Sequence, residues 1–367
     1  MKLEGGRISQ GQVIFLVMSF SVGATILRTP ASGARHADWL AIILGLIGGI
    51  LVAYMFTTLN VKFPGKTLVE FNDLIYGPFL GKLISLAYIF YFFVLATLTL
   101  RLFGDFLKGL IFTETPVIVL ISLMTLICAS AVRNGIEVIA RCNQILLPFT
   151  IILISLSIIL GIPQMELNRF LPIFDIPVIE FLKISFYTAT FPFGESIAFL
   201  MILAFVNKDL QEVKRARISL IFGLIGGAII LILVAVRNTG MLGVTKAISN
   251  YASYQAVRLI SLGENFTRVE IIVSLNFLAM GFMIVAILYY TTTLGLAQVL
   301  KLRTYLPLVL PIGILLTCTT IIQFENIFEY KHFSESIITY FSFPFQILIP
   351  ILSLIICKIR GLPKEGD

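Results

Sequence analysis

The chain has 367 residues, of which 58% are hydrophobic and 13% charged, and its mean hydropathy is +0.99. Soluble domains run near half apolar and a quarter charged, so this chain has too few charges to cover a water-facing surface, and its main solvent is lipid. The net charge of +7 does not point to nucleic acid, because the 27 basic residues are scattered through short connectors between apolar runs, where they set orientation.

Residues 1–10 are polar and carry Lys2, Glu4 and Arg7. The apolar run at 10–28 has no small-residue cleavage site and is read as a retained first span rather than a signal peptide. Val22-Gly23-Ala24-Thr25 interrupts it, and Arg28-Thr29-Pro30 follows. Runs at 39–59, 80–103, 116–132 and 136–162 come next; the third span is centred on Tyr91, with Leu95 one turn on and on the same face. The sixth run, 177–206, contains Thr190-Phe191-Pro192-Phe193-Gly194-Glu195-Ser196 at its middle. Pro192 removes a backbone donor, Gly194 tolerates unusual dihedrals, and Glu195 puts an ionisable group near mid-membrane depth, so a discontinuous helix is expected. Runs at 217–236, 269–299, 305–323 and 337–357 complete the pattern, the eighth centred near Ile284, with Thr291, Thr292 and Thr293 below it toward the cytoplasm. Segments 71–76, 209–217 and 251–262 read as interfacial helices.

At roughly 20 residues per span, ten spans use about 200 residues and leave no room for a separate soluble domain. More of the Lys and Arg residues fall on the side of the N-terminus, which predicts both termini in the cytoplasm and an even number of spans. Interruptions in spans one and six of ten are where an inverted repeat of five spans places them, dividing the chain at 1–162 and 163–367. In such folds paired discontinuous helices build the substrate site, and a carboxylate near Thr25 with an amine near exposed carbonyls or Glu195 suits a zwitterionic amino acid. The plainer alternative makes Gly23 a packing contact and Pro192 a simple kink. Tyr91, Leu95 and Ile284 are nominated as pocket walls by their depth. The three threonines either offer hydroxyls to a cation or bond back to their own helix.

Other polar residues read as structural. Glu137 and Arg141, like Arg101 and Asp105, are spaced to pair along one helix face, and Glu180 and Lys183 can snorkel to an interface. Cys128, Cys142, Cys318 and Cys357 sit singly, and His36 and His332 are far apart, so neither metal nor disulfide is expected. No nucleotide-binding loop or Ser-His-Asp set is present in the sequence, so no cofactor and no enzyme activity are expected.

Four segments carry a family resemblance: Gly23-Ala24-Thr25-Ile26-Leu27 with Pro30, Ala37-Asp38-Trp39-Leu40 opening the second span, Phe191-Pro192-Phe193-Gly194-Glu195, and YASYQAVRLISLGENFTRVE at 251–270. The last is close to the pattern Tyr-x-Ser-x-x-x-x-Arg-x-Ile-x-x-Gly-x-x-x-x-Arg-x-Glu, with Ala252 where Pro is usual. By these segments the chain resembles the B subunits of the GerA-type spore germinant receptors, a branch of the amino acid–polyamine–organocation transporter superfamily. The resemblance implies an all-α, ten-span fold of the transporter type that binds a nutrient germinant in the spore's inner membrane. It also implies partners: an A subunit with a large soluble domain and a lipoprotein C subunit. Carried over by motif, the ligand region comprises Gly23, Thr25, Phe191, Pro192, Gly194 and Glu195, with Tyr91, Leu95 and Ile284 as walls. The rivals are a proton- or cation-coupled amino acid permease, with Glu195 as the coupling group, and a triggered channel.

Overall fold

The computed structural model describes residues 4–27, 29–206, 209–260 and 269–363. Lys2, Arg28, Lys208, Lys364 and the second half of the Tyr-x-Ser pattern, 261–268, lie outside the described residues. Within them every regular element is helical: α1 (Gln10–Gly23), α2 (Asp38–Lys62), α3 (Leu68–Tyr76), α4 (Leu80–Leu110), α5 (Val117–Arg133), α6 (Ile136–Gly161), α7 (Val178–Thr188), α8 (Leu210–Leu242), α9 (Ala252–Arg258), α10 (Ile271–Val299), α11 (Leu306–Ile322), α12 (Ile327–His332), α13 (Ile338–Phe343) and α14 (Ile349–Ile359).

Six segments among the described residues are long and apolar enough to cross a membrane alone: Ser32–Lys62, Leu80–Leu110, Ile136–Gln164, Leu210–Ala247, Ile271–Val299 and Ile327–Ile359. This is a multi-pass membrane protein. The shorter apolar helices α1, α5 and α11, and the broken stretch from α7 to Phe205, fall on the remaining predicted runs. The expected interfacial helix at 71–76 is α3, started by a capping box in which Thr67 N–H donates to Glu70 at 2.8 Å and Glu70 N–H to the Thr67 hydroxyl at 3.4 Å. The expected one at 251–262 is α9 over its described part.

Two boundaries are corrected. Residues 209–217 form no separate interfacial helix; they open α8, because Val213, Ala216 and Leu220 share a buried side while Lys214 and Arg215 stay exposed. The last span begins at Ile327 rather than 337, since Glu329, Lys331 and Glu335, which read as a connector, ride on continuous helix.

The centre of the bundle is α10. Residues 283–295 are all buried, as expected for a helix that is apolar on every side, and α1, α4, α5 and α6 pack round it. The same five residues, Gly-Leu-Ile-Gly-Gly, occur at 45–49 in α2 and at 223–227 in α8. Each copy docks one of the interrupted spans. A Cβ on Gly45 would lie 2.7 Å from Thr188 Cβ, one on Gly48 2.9 Å from Ala189 Cβ, and one on Gly49 would overlap Phe193. In the second copy, Gly223 and Gly227 would meet Val17 and Ser21 at 2.6 and 2.8 Å, and Gly226 would meet Met18 at 2.8 Å. Small residues spaced by four let backbones approach in a lipid solvent, where no hydrophobic force pulls helices together.

Candidate ligand site at the helix breaks

The first interruption is narrow. α1 ends at Gly23 and residues Ala24–Ile26 continue as a 3₁₀ turn. A Cβ on Gly23 would lie 2.9 Å from Met280 O and overlap the Ile284 side chain, so this end of α1 rests directly on α10. The Thr25 hydroxyl donates to Ser21 O and Val22 O, both at 2.9 Å, and is fully buried. Thr291, Thr292 and Thr293 likewise bond back to Leu288 O and Tyr289 O.

The second interruption is a real gap in helix geometry. Phe191 has φ −126° and ψ 117°, which is extended backbone, and residues Ala189–Phe193 form a π turn in which Gly194 N–H reaches back to Ala189 O. Thr190 O is thereby left without its helical partner and instead accepts from the side-chain amide of Gln346 at 3.1 Å. The same amide nitrogen donates to Tyr91 OH at 2.8 Å, and the Tyr91 ring stacks on Phe345 at 4.5 Å.

Beyond the end of α1, in the half of the bundle away from residues 4–9, lies a cavity of about 80 Å³. Thr29, Pro30 and Ser32 form one side, Leu95, Leu98, Thr99 and Leu102 of α4 a second, and Tyr187, Phe191 and Glu195 a third; Tyr330, Ser334, Glu335 and Ile338 close it. Glu195 is 7% exposed, and no side chain among the described residues hydrogen-bonds its carboxyl. A polar chain stands behind Thr29: Arg237 donates to Ser157 at 2.7 Å and to Asn238, whose amide donates to Thr29 at 3.3 Å and to Ser253 at 3.0 Å. Next to it, Asp38 of the Ala37-Asp38-Trp39-Leu40 segment pairs with Lys246, and Thr239 bonds to both; Asp38 and Lys246 are fully buried. A larger hollow of about 310 Å³ between α5, α10 and α11 has no acidic or basic lining residue, and its wall includes lipid-exposed Leu126, Leu310 and Ile314.

Of the nine residues expected at the site, Leu95, Phe191 and Glu195 line the cavity together. Gly23 and Ile284 touch each other deeper in the bundle, Tyr91 and Gly194 both abut Gln346, Pro192 is buried behind the break, and Thr25 faces its own helix. Sequence reasoning missed Gln346, Arg237 and the whole contribution of the last span. Gln346 carried a usable signal, being an uncharged amide in the apolar run Phe343-Pro344-Phe345-Gln346-Ile347. The pairs Arg101–Asp105, at 2.9 Å, and Arg141–Glu137, at 3.4 Å, form as expected.

An all-helical membrane bundle with a discontinuous span beside a polar cavity defines a transporter-type fold. Solved structures that share it include a Na⁺-coupled sialic acid symporter, in a substrate-bound outward-open state, at a TM-score of 0.72 and 13% identity, covering 95% of this chain and 79% of that one, and MHP1, a nucleobase-cation-symport-1 family transporter closed on bromovinylhydantoin, at 0.67 and 13%, covering 93% and 76%. The family is narrower than the fold. Residues 7–328 match the spore permease family, described as spore germination protein, and the chain belongs to that family. Relatives in Bacillus subtilis (strain 168) include spore germination protein KB, 28% identical over 99% of this chain and 98% of that protein. Spore germination protein YndE is 23% identical over 98% of each, and spore germination protein B2 24% identical over 59% of each.

Proposed function

We propose that this chain is the B subunit of a GerA-type germinant receptor, binding an amino acid in the cavity beside the second break and passing the signal to A and C subunits. The observation that carries the reading is the Glu195 carboxyl, buried against the cavity with no side-chain partner among the described residues. A carboxyl in lipid is costly unless something pairs with it, and a ligand ammonium supplies that pair. The cavity's roughly 80 Å³, about half of a cavity that holds benzene, limits the ligand to the smallest amino acids. Leu95, Leu98 and Leu102 offer an apolar wall to its side chain. Ten spans in two inverted halves, 1–162 and 163–367, are supported by the repeated Gly-Leu-Ile-Gly-Gly and by its docking of α2 on the sixth run and α8 on the first. The receptor sits in the spore's inner membrane with both termini cytoplasmic.

The test is germination of spores whose sole receptor contains this chain, across a panel of amino acids and sugars. A response to at least one amino acid is expected, and Glu195→Gln should raise its half-saturating concentration at least about tenfold, the loss of one charged hydrogen bond. Silence to every amino acid, or an unchanged dose response in Glu195→Gln, overturns the reading. The second reading, a cation-coupled amino acid permease, is favoured by the cation-coupled transporters that share the fold. Uptake of labelled amino acid into proteoliposomes above the leak rate would decide for it.

A further inference from the structure

Gln346 sits where three spans meet. It is fully buried in Pro344–Leu348, one of two π turns in the last span, and such turns recur at functional sites because they rotate the residues after them out of helical register. Its amide nitrogen spends both hydrogens on other spans, on Tyr91 OH of α4 and on Thr190 O, the carbonyl left unpaired at the second break. The carbonyl acceptor at Thr190 fixes which end of the amide faces the break. Its own oxygen is buried, with no donor among the described residues. That oxygen lies against Gly194: a Cβ there would overlap it and stand 2.7 Å from Gln346 Cδ. The same last span holds the cavity wall through Glu335 and Ile338, and Tyr187 OH donates to Ser334 O at 3.0 Å, so the broken span is tied to the last span both at the cavity and behind it.

We propose that Gln346 is a positioning residue that couples the second break to the last span, so that a ligand taken up at Glu195 is read as a shift of that span. The inference rests on the ligand reading above and adds the route by which binding leaves the site. A packed core passes strain between discrete arrangements rather than stretching, and a side chain with two bonds out and an acceptor in reserve has a second arrangement to move to. A rearrangement of the last span that brings a donor to this oxygen would give the amide its remaining bond.

The experiment is a dose–response series in spores carrying the full receptor, with the amount of the subunit in spore membranes measured alongside. Gln346→Leu should lower the maximal germination rate by about tenfold or more while the half-saturating germinant concentration stays within about threefold of the parent, since coupling is lost and binding is kept. Gln346→Glu keeps length and volume but has no amide hydrogens, and it carries the same expectation if Gln346→Leu does not accumulate. A raised half-saturating concentration at full maximal rate would make Gln346 a ligand contact and overturn the proposal, as would an unchanged profile in both variants. Should the parent spores answer no nutrient, the ligand reading has failed, and the tie is judged on the purified full-length chain. There Gln346→Leu and Tyr91→Phe should depress Tm non-additively; additive losses overturn it.

Discussion

The two interrupted spans are docked by the same five residues and yet end differently. Gly223, Gly226 and Gly227 seat α1 as closely as Gly45, Gly48 and Gly49 seat the stretch from Thr188 to Phe193. What differs is the space left at the break. At the first, Ile284 fills the gap opposite Gly23, Thr25 turns its hydroxyl back on Ser21 and Val22, and the outside partner is a backbone N–H, Ser253 donating to Leu27 O at 3.4 Å. At the second, a carbonyl is released, a distant amide has to meet it, and a carboxyl is left facing a cavity. Backbone freed inside lipid must find a partner. A break met by its own helix and by fixed backbone is architecture, whereas a break whose carbonyl is met by a distant side chain can exchange that partner.

The strongest way to break the comparison is to attack what the two regions share. Gly49→Val and Gly223→Val each force a side chain onto a neighbour's Cβ at a helix crossing, Phe193 in one case and Val17 in the other. Each should destabilise by about 3 kcal/mol, the upper part of the usual range for overpacking, and to a similar degree. Thermal unfolding of the purified chain checks this. A large loss in one variant beside a silent partner would mean that the repeated pentapeptide does different work in the two halves.

The contrast between the breaks also explains what could be read from the sequence. Gly23 and Pro192 announce interruptions because their backbone chemistry is unlike that of any other residue, and Glu195 announces itself as a charge in an apolar run. The matching of α2 with α8 was written in plain letters, yet its meaning lies in which helix each copy touches, a tertiary fact. Thr25 and Thr29 are close in sequence and of the same type, but only Thr29 reaches the cavity, because α1 loses its helical turn between them. Gln346 stands on the correct side of the last span only because a π turn shifts its register, which periodicity cannot show.

A smaller effect separates the two spans where they begin. The segment entering α1 is held by Glu4, which accepts from Ile136 N–H at 2.9 Å and from Tyr290 OH, with Tyr305 and Glu137 nearby. Burial pushes the Glu4 carboxyl above its ordinary value of 4.5, outweighing these hydrogen bonds. A carboxyl raised in the folded state binds its proton more tightly there than when unfolded, so its contribution to stability is full below 4.5 and is lost as pH rises through the raised value. Glu4→Gln should therefore flatten the fall in stability over that window, measured as Tm of the purified chain from pH 4 to 7 in about half-unit steps. A slope identical to the parent's would show that burial does not raise the Glu4 carboxyl.

The smallest predicted effect is the sharpest test of the contrast. Thr25→Val keeps the shape of the side chain and removes only a hydroxyl whose acceptors, Ser21 O and Val22 O, belong to the same helix. Threonine bonding back in this way adds little to a helix and nothing to a ligand. The half-saturating germinant concentration should stay within about twofold of the parent, whereas loss of a direct hydrogen bond to ligand, worth about 1 kcal/mol, would raise it about fivefold. A shift of the larger size would place the ligand at the first break as well, so that both interruptions, and not the second alone, exchange partners during binding.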